Sequence, residues 1–342
     1  MAKETIAGLA KRLGISKASV SYALNGQSGV SDLTRRRVLD LAEELDWYPS
    51  SSARALSRSR AGAVGMVLSA DPALIGTEPY HMGLLAGIEA ALAESDTALM
   101  LRMVGNDPAQ EHAVYERWAG ERKVDGVLVF DHLLDDPRPA LLDRLGLPFV
   151  LHGTPETGAP PAFSGTTTDH DVDAATIIDH LHDAGHRRIG HVSGPHRLLH
   201  EKERIRGVRE RAASHGMEVV QYEANYALQA GHDAAVTLLR PSETPGAPMT
   251  AMVFGNDLMA MGGLLALREL GLRCPDDVAI ISWDDSLHCR LAFPAVTALS
   301  RNPGMQGRVA AELLLDLLDT GTIRTTSMPP GELVVRASTA TV

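Results

Sequence analysis

Two short helices are predicted by the segment Thr5-Ile-Ala-Gly-Leu-Ala-Lys-Arg-Leu-Gly14-Ile-Ser16-Lys-Ala-Ser-Val-Ser-Tyr22-Ala-Leu-Asn25-Gly26. Thr5 and Ser16 suit helix N-caps, because their hydroxyl oxygens can accept hydrogen bonds from the first free backbone amides. Gly14 tolerates the positive φ of a turn, and Gly26 suits the end of the second helix. This pattern is typical of a helix-turn-helix that enters the DNA major groove, although an ordinary helical hairpin would share it.

A third helix is predicted to begin after Ser31, a third N-cap candidate, and to end before Trp47-Tyr48-Pro49. Three helices of this length can close a small bundle. Residues 50–58 follow and are too short to form a stable helix alone. The apolar positions predicted to face inward on the third helix are Leu33, Val38, Leu41, Ala42 and Leu45.

The charge of the chain is divided unevenly. The net charge is −11 over 342 residues. Residues 1–60 hold ten Lys and Arg against six Asp and Glu, a net charge of +4, whereas residues 61–342 hold 22 against 37, a net charge of −15. This division indicates that the basic residues 1–60 bind nucleic acid and that the acidic residues 61–342 do not.

Residues 5–60 resemble the DNA-binding headpiece and hinge of the lactose-repressor (LacI/GalR) family of bacterial transcription regulators. The residues that carry the resemblance are Val20-Ser-Tyr-Ala-Leu-Asn-Gly26, Val30-Ser31, Thr34-Arg35, Val38, Tyr48-Pro49 and Ala53-Arg-Ala-Leu56. The resemblance implies a helix-turn-helix domain over residues 1–48 and a hinge over 49–60.

The resemblance also implies how the headpiece meets double-stranded operator DNA. Lys17, Ala18 and Tyr22 stand at positions of base readers, and the hinge would fold on DNA with Leu56 wedged into the minor groove. Leu56 could instead pack the hinge onto the core. The full set of expected DNA-binding residues is Thr5, Ser16, Lys17, Ala18, Ser19, Ser21, Tyr22, Asn25, Ser31, Ser50, Ala53, Arg54 and Leu56.

Residues 61–342 alternate short apolar runs with amphipathic helices, which predicts an α/β core. Apolar runs that include Val64–Leu68, Leu99–Met103 and Val278–Ser282 are interpreted as strands buried on both faces of a parallel sheet. The pattern occurs in two halves, separated by a loop rich in Pro, Gly and Thr at 154–161. Parallel sheets arranged in this way bind small ligands at the carboxyl ends of their strands.

This body is similar to the family's effector-binding core, which itself resembles periplasmic sugar-binding proteins. The matching motifs include Gly194-Pro195, Glu203-Arg-Ile-Arg-Gly207, Asn256-Asp257 and Trp283-Asp-Asp285. The resemblance implies a homodimer and two discontinuous subdomains, expected at about 61–162 with 293–324 and 163–292 with 325–342.

The matched positions predict a ligand cleft. Carboxylate, amide and guanidinium groups suit pairs of sugar hydroxyls, and tyrosine rings suit the flat faces of sugars. Arg204 could instead be a surface residue, and Asp284 could hold a turn. The predicted ligand-binding residues are Tyr80, His81, His152, Arg204, Tyr226, Asn256 and Asp284.

Other chemistry is not expected. Six histidines lie between His180 and His200, but their spacing favours solvated surface over a metal site. Cys274 and Cys289 lack redox or metal motifs, which favours free thiols. The sequence has no nucleotide-binding loop, zinc-protease motif or nucleophile elbow, so we expect neither cofactor nor enzyme activity. It shows neither a signal region nor a membrane span, which favours the cytoplasm.

The sequence therefore predicts a homodimeric transcription regulator, most simply a repressor of carbohydrate-utilisation genes that a small sugar-like effector releases from DNA. Two alternatives remain open at this point. One is a stand-alone sugar-binding protein, and the other is a sugar-active α/β enzyme. DNA binding that weakens steeply with salt separates the regulator from both.

Overall fold

The computed structural model describes residues 5–24, 26, 28–47, 60–69, 78–105, 107–154, 162–240 and 248–340. These residues form a helical N-terminal headpiece (residues 5–47) and a core with two six-stranded sheets flanked by helices. The predicted α/β class with a helix-turn-helix headpiece is confirmed.

Three helices make up the headpiece: α1 (Ile6–Leu13), α2 (Lys17–Leu24) and α3 (Asp32–Glu44). Their N-caps are the predicted residues, since the hydroxyl oxygens of Thr5, Ser16 and Ser31 accept from backbone amides at 3.2, 3.0 and 3.2 Å. Gly14 follows α1 with a φ of 69°. The buried centre of the bundle is built from Leu9, Ala10, Val20, Ala23 and Val38.

One predicted inward position of the headpiece is wrong. Leu33 is 72% exposed, whereas Val38 is fully buried. The two residues are five positions apart, so their side chains point about 140° away from each other around the helix axis. The buried stripe of α3 therefore does not include its first turn.

The core begins with alternating strands and helices. In chain order these are β1 (Ala63–Ser69), α4 (Pro79–Ala93), β2 (Ala98–Val104), α5 (Pro108–Gly120), β3 (Gly126–Val129), α6 (Arg138–Leu145), β4 (Phe149–Thr154) and β5 (Ser164–Thr167). The chain then continues through α7 (His170–Asp183), β6 (Arg188–Ser193), α8 (Leu199–Ser214), β7 (Glu218–Glu223), α9 (Leu228–Leu239), β8 (Ala251–Phe254), α10 (Asp257–Leu270), β9 (Ala279–Ser282), α11 (Leu287–Leu291) and β10 (Thr297–Ser300). It ends with α12 (Pro303–Thr320), β11 (Thr325–Ser327) and β12 (Glu332–Val334).

The two sheets share one plan. The first has the order β11-β5-β4-β3-β1-β2 with parallel pairing throughout, and the second has the order β12-β10-β9-β8-β6-β7 with only β12 antiparallel. Both are therefore doubly wound sheets. Their central strands are buried, but β2 lies at an edge, where Leu101 and Met103 are exposed. The expectation that β2 is buried on both faces is wrong for that reason.

The strand pairings differ from the predicted subdomain limits at three places. β5 and β11 pair with each other in the first sheet, although residues 163–167 and 325–327 were assigned to the second half. β10 pairs with β9 in the second sheet, although residues 297–300 were assigned to the first. Both β5 and β11 are short and polar, so no apolar run marks them. The chain crosses between the halves after β5, after β10 and after β11.

Close helix packing fixes one of these crossings. α12 packs against α4 and against strands of the first sheet. The contact is backbone to backbone, because a Cβ at Gly87 of α4 would overlap the carbonyl of Gly304, and a Cβ at Gly307 of α12 would overlap that of Leu84. The segment that enters α12 from β10 is therefore held firmly, and it carries Arg301 into the space between the sheets.

Candidate functional site

A cavity of about 280 Å³ opens between the two sheets, and we call it the cleft. Its wall comes from residues that follow strands of both halves, including Asp131 after β3 and Asp284 after β9. The cleft therefore lies where parallel sheets present the carboxyl ends of their strands. Six of the seven predicted ligand-binding residues line it, namely Tyr80, His81, His152, Arg204, Tyr226 and Asp284.

Asn256, the seventh, lies behind the wall. It is 1% exposed and caps α10, with its side-chain oxygen accepting from the Met259 amide at 2.9 Å. Its Nδ2 donates to the carbonyl oxygen of Tyr226 at 3.0 Å. Tyr226 has a φ of 68°, which is costly for a tyrosine. In this structure Asn256 thus holds the backbone of a residue that lines the cleft.

A buried carboxylate organises one side of the cleft. Glu201 of α8 is fully buried, and its Oε1 accepts from Arg204 Nη1 at 2.7 Å and from the Tyr226 hydroxyl at 2.8 Å. Its Oε2 accepts from the Gly194 amide at 2.9 Å. The Arg204 guanidinium lies 5.0 Å from the centre of the Trp283 ring. These contacts fix the positions of Arg204 and Tyr226.

The same hydrogen-bond chain sets the state of His200. Because the Tyr226 hydroxyl donates to Glu201, it accepts from His200 Nε2 at 2.9 Å, which places the proton on Nε2. Burial and the charge of Arg204 lower the pKa of His200 well below its usual value, and the same causes act on the pKa of His170. Both imidazoles are neutral near pH 7.

An ion pair on the crossing segment forms another part of the wall. Arg301 Nη2 donates to Asp284 Oδ1, and the guanidinium lies 5.2 Å from the centre of the Tyr80 ring. The Tyr80 hydroxyl donates to Gln306 of α12 at 2.7 Å. Burial raises the pKa of Tyr80 to about 12, so the hydroxyl stays protonated. Asp284 of the second half is thus joined to Tyr80 of the first through Arg301.

The cations buried in this wall are balanced by carboxylates. Arg138, 4% exposed, pairs with Asp136 at 2.6 Å and Glu111 at 3.3 Å. His81 Nδ1 lies 2.9 Å from Glu78. Burial opposes protonation of His81, but Glu78 outweighs it and raises the pKa to about 9. With the pairs of Arg204 and Arg301, each buried cation that lines the cleft in the described part of the chain has an acidic partner.

His152 contributes a neutral polar edge. Its Nδ1 lies 2.7 Å from the Thr166 hydroxyl, and its ring centre lies 5.1 Å from that of Phe130. Burial, together with the charge of Arg301, lowers the pKa of His152 to about 4. The imidazole can therefore serve as an uncharged donor or acceptor for a ligand hydroxyl.

Replacing His152 with glutamine should reduce the sensitivity of the fold to acid. Below about pH 6.5 His152 becomes protonated in the unfolded state, whereas in the folded state it stays neutral down to about pH 4. The free energy of unfolding therefore falls as the pH decreases from about 6.5 to about 4. Urea unfolding at pH 7 and pH 5 should show a smaller loss in His152→Gln than in the wild type, by up to roughly 2 kcal/mol. His191→Gln, which removes another buried histidine with a pKa of about 4, should act in the same direction. Parallel pH profiles would contradict this.

Two backbone hydrogen bonds span the mouth of the cleft. The Leu134 amide donates to the Arg197 carbonyl at 3.0 Å, and the Leu199 amide donates to the His132 carbonyl at 2.8 Å. Leu133 and Leu198 thereby form an antiparallel bridge between the two halves. We call these contacts the rim bridge, and they join the two halves at the edge of the cleft.

The predicted DNA-contacting residues that lie on α2 are exposed or half-buried. Lys17 and Ala18 are exposed, Tyr22 is 41% exposed, and Ser21 is half-buried. Ser16 and Ser19 hydroxyls bond each other at 2.9 Å. The predicted DNA contacts Asn25, Ser50, Ala53, Arg54 and Leu56 lie outside the described residues.

Arg35 caps the C-terminal end of α2. Its Nη1 donates to the carbonyls of Tyr22 and Ala23 at 3.4 and 3.2 Å, and the Ala23 carbonyl also accepts from the Gly26 amide at 3.5 Å. Arg35→Ala should therefore lower headpiece stability by about 1 kcal/mol. Arg36→Ala removes the same charge from an exposed neighbour and is the matched control. Both should weaken DNA binding, but only Arg35→Ala should lower the headpiece melting temperature. Equal melting of the two variants would refute the capping role.

Several residues of the cleft escaped the sequence analysis. The wall is also shaped or lined by Glu201, Arg301, His170, His200 and Asp131, and of these only Glu201 had a local signal in the sequence. The Glu201-x-x-Arg204 spacing was a usable signal, because residues three apart on a helix are neighbours.

Other features add no further chemistry. Cys274 and Cys289 are free thiols, and burial raises the pKa of each to about 12. Within the described ranges, no group of three or more His, Cys, Asp and Glu is arranged to hold a metal ion. Among the same residues, no helix combines the length and the apolar character needed to cross a membrane.

A helix-turn-helix headpiece in front of a two-sheet core with a central cleft defines a DNA-binding regulator with a periplasmic-binding-protein-like body. Comparison with known proteins agrees. Residues 5–50 match the family described as bacterial regulatory proteins, lacI family, and residues 178–339 match a periplasmic binding protein-like domain. The HTH-type transcriptional regulator CelR of Thermobifida fusca is 31% identical over 313 residues, covering 92% of this chain and 90% of the relative.

Solved structures support the same assignment. A complex of the transcriptional regulator CelR with cellobiose is 29% identical and covers 98% of this chain and 100% of its own, with a TM-score of 0.74. The Lac repressor dimer bound to operator and the anti-inducer ONPF is 21% identical with a TM-score of 0.85, over 99% of this chain and 100% of its own, and it supports the fold alone. This chain belongs to the LacI family of bacterial regulatory proteins. It is a DNA-binding transcriptional regulator and not an enzyme.

Proposed function

We propose that this regulator is a repressor of carbohydrate-utilisation genes that binds a palindromic operator as a homodimer and is released by a neutral sugar-like effector. The observation that carries the effector class is the balanced charge of the cleft. Arg138, Arg204 and Arg301 each have a carboxylate partner, so an anionic ligand would find no free buried cation among the described residues. Hydroxyl groups can use the same side chains as paired donors and acceptors.

The size and lining of the cleft fit this class. Its volume of about 280 Å³ suits a ligand of one or two pyranose rings. Tyr80 and Tyr226 offer flat faces, and neutral His152 offers a polar edge. The similar CelR structure contains cellobiose, an uncharged disaccharide. We therefore assign effector contact to the predicted residues that line the cleft, with Asn256 supporting Tyr226 from behind.

Pairing of two chains would place two headpieces on one operator. A single headpiece makes few contacts, whereas two joined headpieces read two half-sites. Exposed apolar side chains on the core favour association with a second copy. They are Met82, Leu101, Met103, Leu287, Leu291 and Phe293. We assign the DNA-binding domain to residues 1–48, the hinge to 49–60 and the dimerising core to 61–342, and place the protein in the cytoplasm with its operator.

Within each headpiece, Lys17, Ala18 and Tyr22 would read bases, because they are the exposed side chains of α2. Thr5, Ser16, Ser19, Ser21 and Ser31 would orient the helices on phosphates. Effector binding would change how the two hinges meet, and thereby whether both headpieces hold the operator. Coupling of this kind is typically about 1–3 kcal/mol between two sites.

The experiment is selection of genomic DNA by the purified full chain, followed by titration of the selected duplex with a panel of neutral mono- and disaccharides. We expect a palindromic sequence, a steep loss of affinity with salt, and release by at least one neutral sugar. Binding to no duplex at low salt would refute the regulator, and tighter DNA binding with every active sugar would refute induction.

A further inference from the structure

Glu201 differs from the other acidic groups around the cleft. It does not line the cavity, yet its carboxylate oxygens bond Arg204, Tyr226 and the Gly194 amide, and the first two residues do line it. Glu201 is fully buried, so its negative charge faces these partners and His200, whose Nε2 lies 3.6 Å from Oε1, and not the cavity. It therefore acts on a ligand through Arg204 and Tyr226.

We propose that Glu201 is the positioning residue that makes the cleft select neutral ligands over anionic ones. This inference rests on the proposed sugar-binding function of the cleft and adds its charge specificity. Glu201 cancels the charge of Arg204 while it holds the guanidinium against Trp283, so Arg204 can donate to hydroxyls without attracting a phosphate or carboxylate.

Arg204 is a strong candidate for anion binding once this partner is lost. Its Nε is buried and makes no hydrogen bond within the described part of the chain, so the guanidinium retains donor capacity beyond Glu201. A buried cation without a partner is costly, and an anion that enters the cleft would remove that cost. His170 and His200, which also line the cleft, have lowered pKa values and are neutral, so neither offers Arg204 a negative charge in place of Glu201.

The test uses inorganic phosphate as the probe. Glu201→Gln in the full chain should gain saturable phosphate binding at least about tenfold tighter than the wild type, seen as a phosphate-dependent rise in core melting temperature against chloride at equal ionic strength. Phosphate bound by the headpiece alone would affect the wild type and the variant equally.

Three further variants test whether phosphate binding results from loss of the negative charge of Glu201 beside Arg204. Asp179→Asn also deprives an arginine of its carboxylate, since Asp179 pairs with Arg211 at 2.6 Å on the surface, and it should gain no phosphate binding. Glu201→Gln combined with Arg204→Gln should lose the gain. Glu201→Asp keeps the charge and should remain insensitive to phosphate. A folded Glu201→Gln variant that ignores phosphate, or an equal gain in Asp179→Asn, would overturn the proposal.

The wild type provides a second measurement if Glu201→Gln does not fold. Each sugar that releases the operator is compared with its phosphorylated form and its sugar acid, and the neutral form should bind at least about tenfold tighter. Tighter binding of an anionic form would overturn the role of Glu201 but leave a sugar-responsive regulator. If no sugar binds, the proposed effector class fails, and tighter binding of phosphate by the wild-type core than by Arg204→Gln would overturn the role of Glu201.

Discussion

Gly194→Ala is expected to raise the effector concentration needed to release the operator about 100-fold while leaving operator binding intact. A Cβ at position 194 would overlap the Tyr226 ring, whose hydroxyl bonds both Glu201 and His200. The ring must move, and the hydrogen bonds of its hydroxyl to His200 and to Glu201, the partner of Arg204, are lost with it. Loss of one charged and one neutral hydrogen bond predicts an effector affinity about 100-fold lower.

The control for this variant is Gly120→Ala at the end of α5, where a Cβ has open space and φ is ordinary. Calorimetric titration with the active sugar and gel-shift assays with operator measure the two functions separately. We expect Gly120→Ala to match the wild type in both. Normal effector affinity in Gly194→Ala would mean that Tyr226 does not contribute to the ligand site.

Val20→Asp is expected to eliminate specific DNA binding without affecting the cleft. Val20 is fully buried between Leu9 and Val38 in the headpiece. A domain of this size has a stability of roughly 2–7 kcal/mol at 0.05–0.15 kcal/mol per residue. Burying an ionised carboxylate costs at least as much, so the three helices should unfold.

Leu39→Asp is the matched control, because Leu39 is 46% exposed on α3 and a carboxylate there stays in water. It should weaken DNA binding only modestly, through its charge. Operator affinity of Val20→Asp should fall by at least about 1,000-fold, while the melting transition of the core and sugar binding remain unchanged. Retained specific binding in Val20→Asp would show that the headpiece core is not what orders α2.

The headpiece could be predicted almost completely because its signals are local. Thr5, Ser16 and Ser31 cap helices through contacts within three residues, and Gly14 supplies the turn between the first two. The one wrong position is Leu33. It is apolar, but its side chain points about 140° away from that of Val38 around the helix axis and is therefore exposed. Contacts between residues so close in sequence can be predicted from the residue types and their spacing.

The cleft was predicted only in part because most residues that meet at its wall are distant in sequence, although Glu201 and Arg204 are only three residues apart. The resemblance correctly predicted that Arg204 and Asp284 line the cleft. It did not predict their ion-pair partners, Glu201 and Arg301. Arg301 follows β10, which the sequence analysis assigned to the wrong half, so its ion pair with Asp284 could not be foreseen. Pairing of the polar strands β5 and β11 likewise depends on sheet edges that no local pattern reveals.

The rim bridge has a consequence for kinetics. If the two halves separate to admit or release a ligand, the hydrogen bonds of the Leu134 and Leu199 amides must break. Deuterium uptake at these two amide positions should therefore count opening events directly, in the empty protein as well as in the sugar-bound one. Both donors belong to the main chain. The rim bridge can therefore slow the exchange of a ligand while the side chains of the cavity remain available for contacts with it.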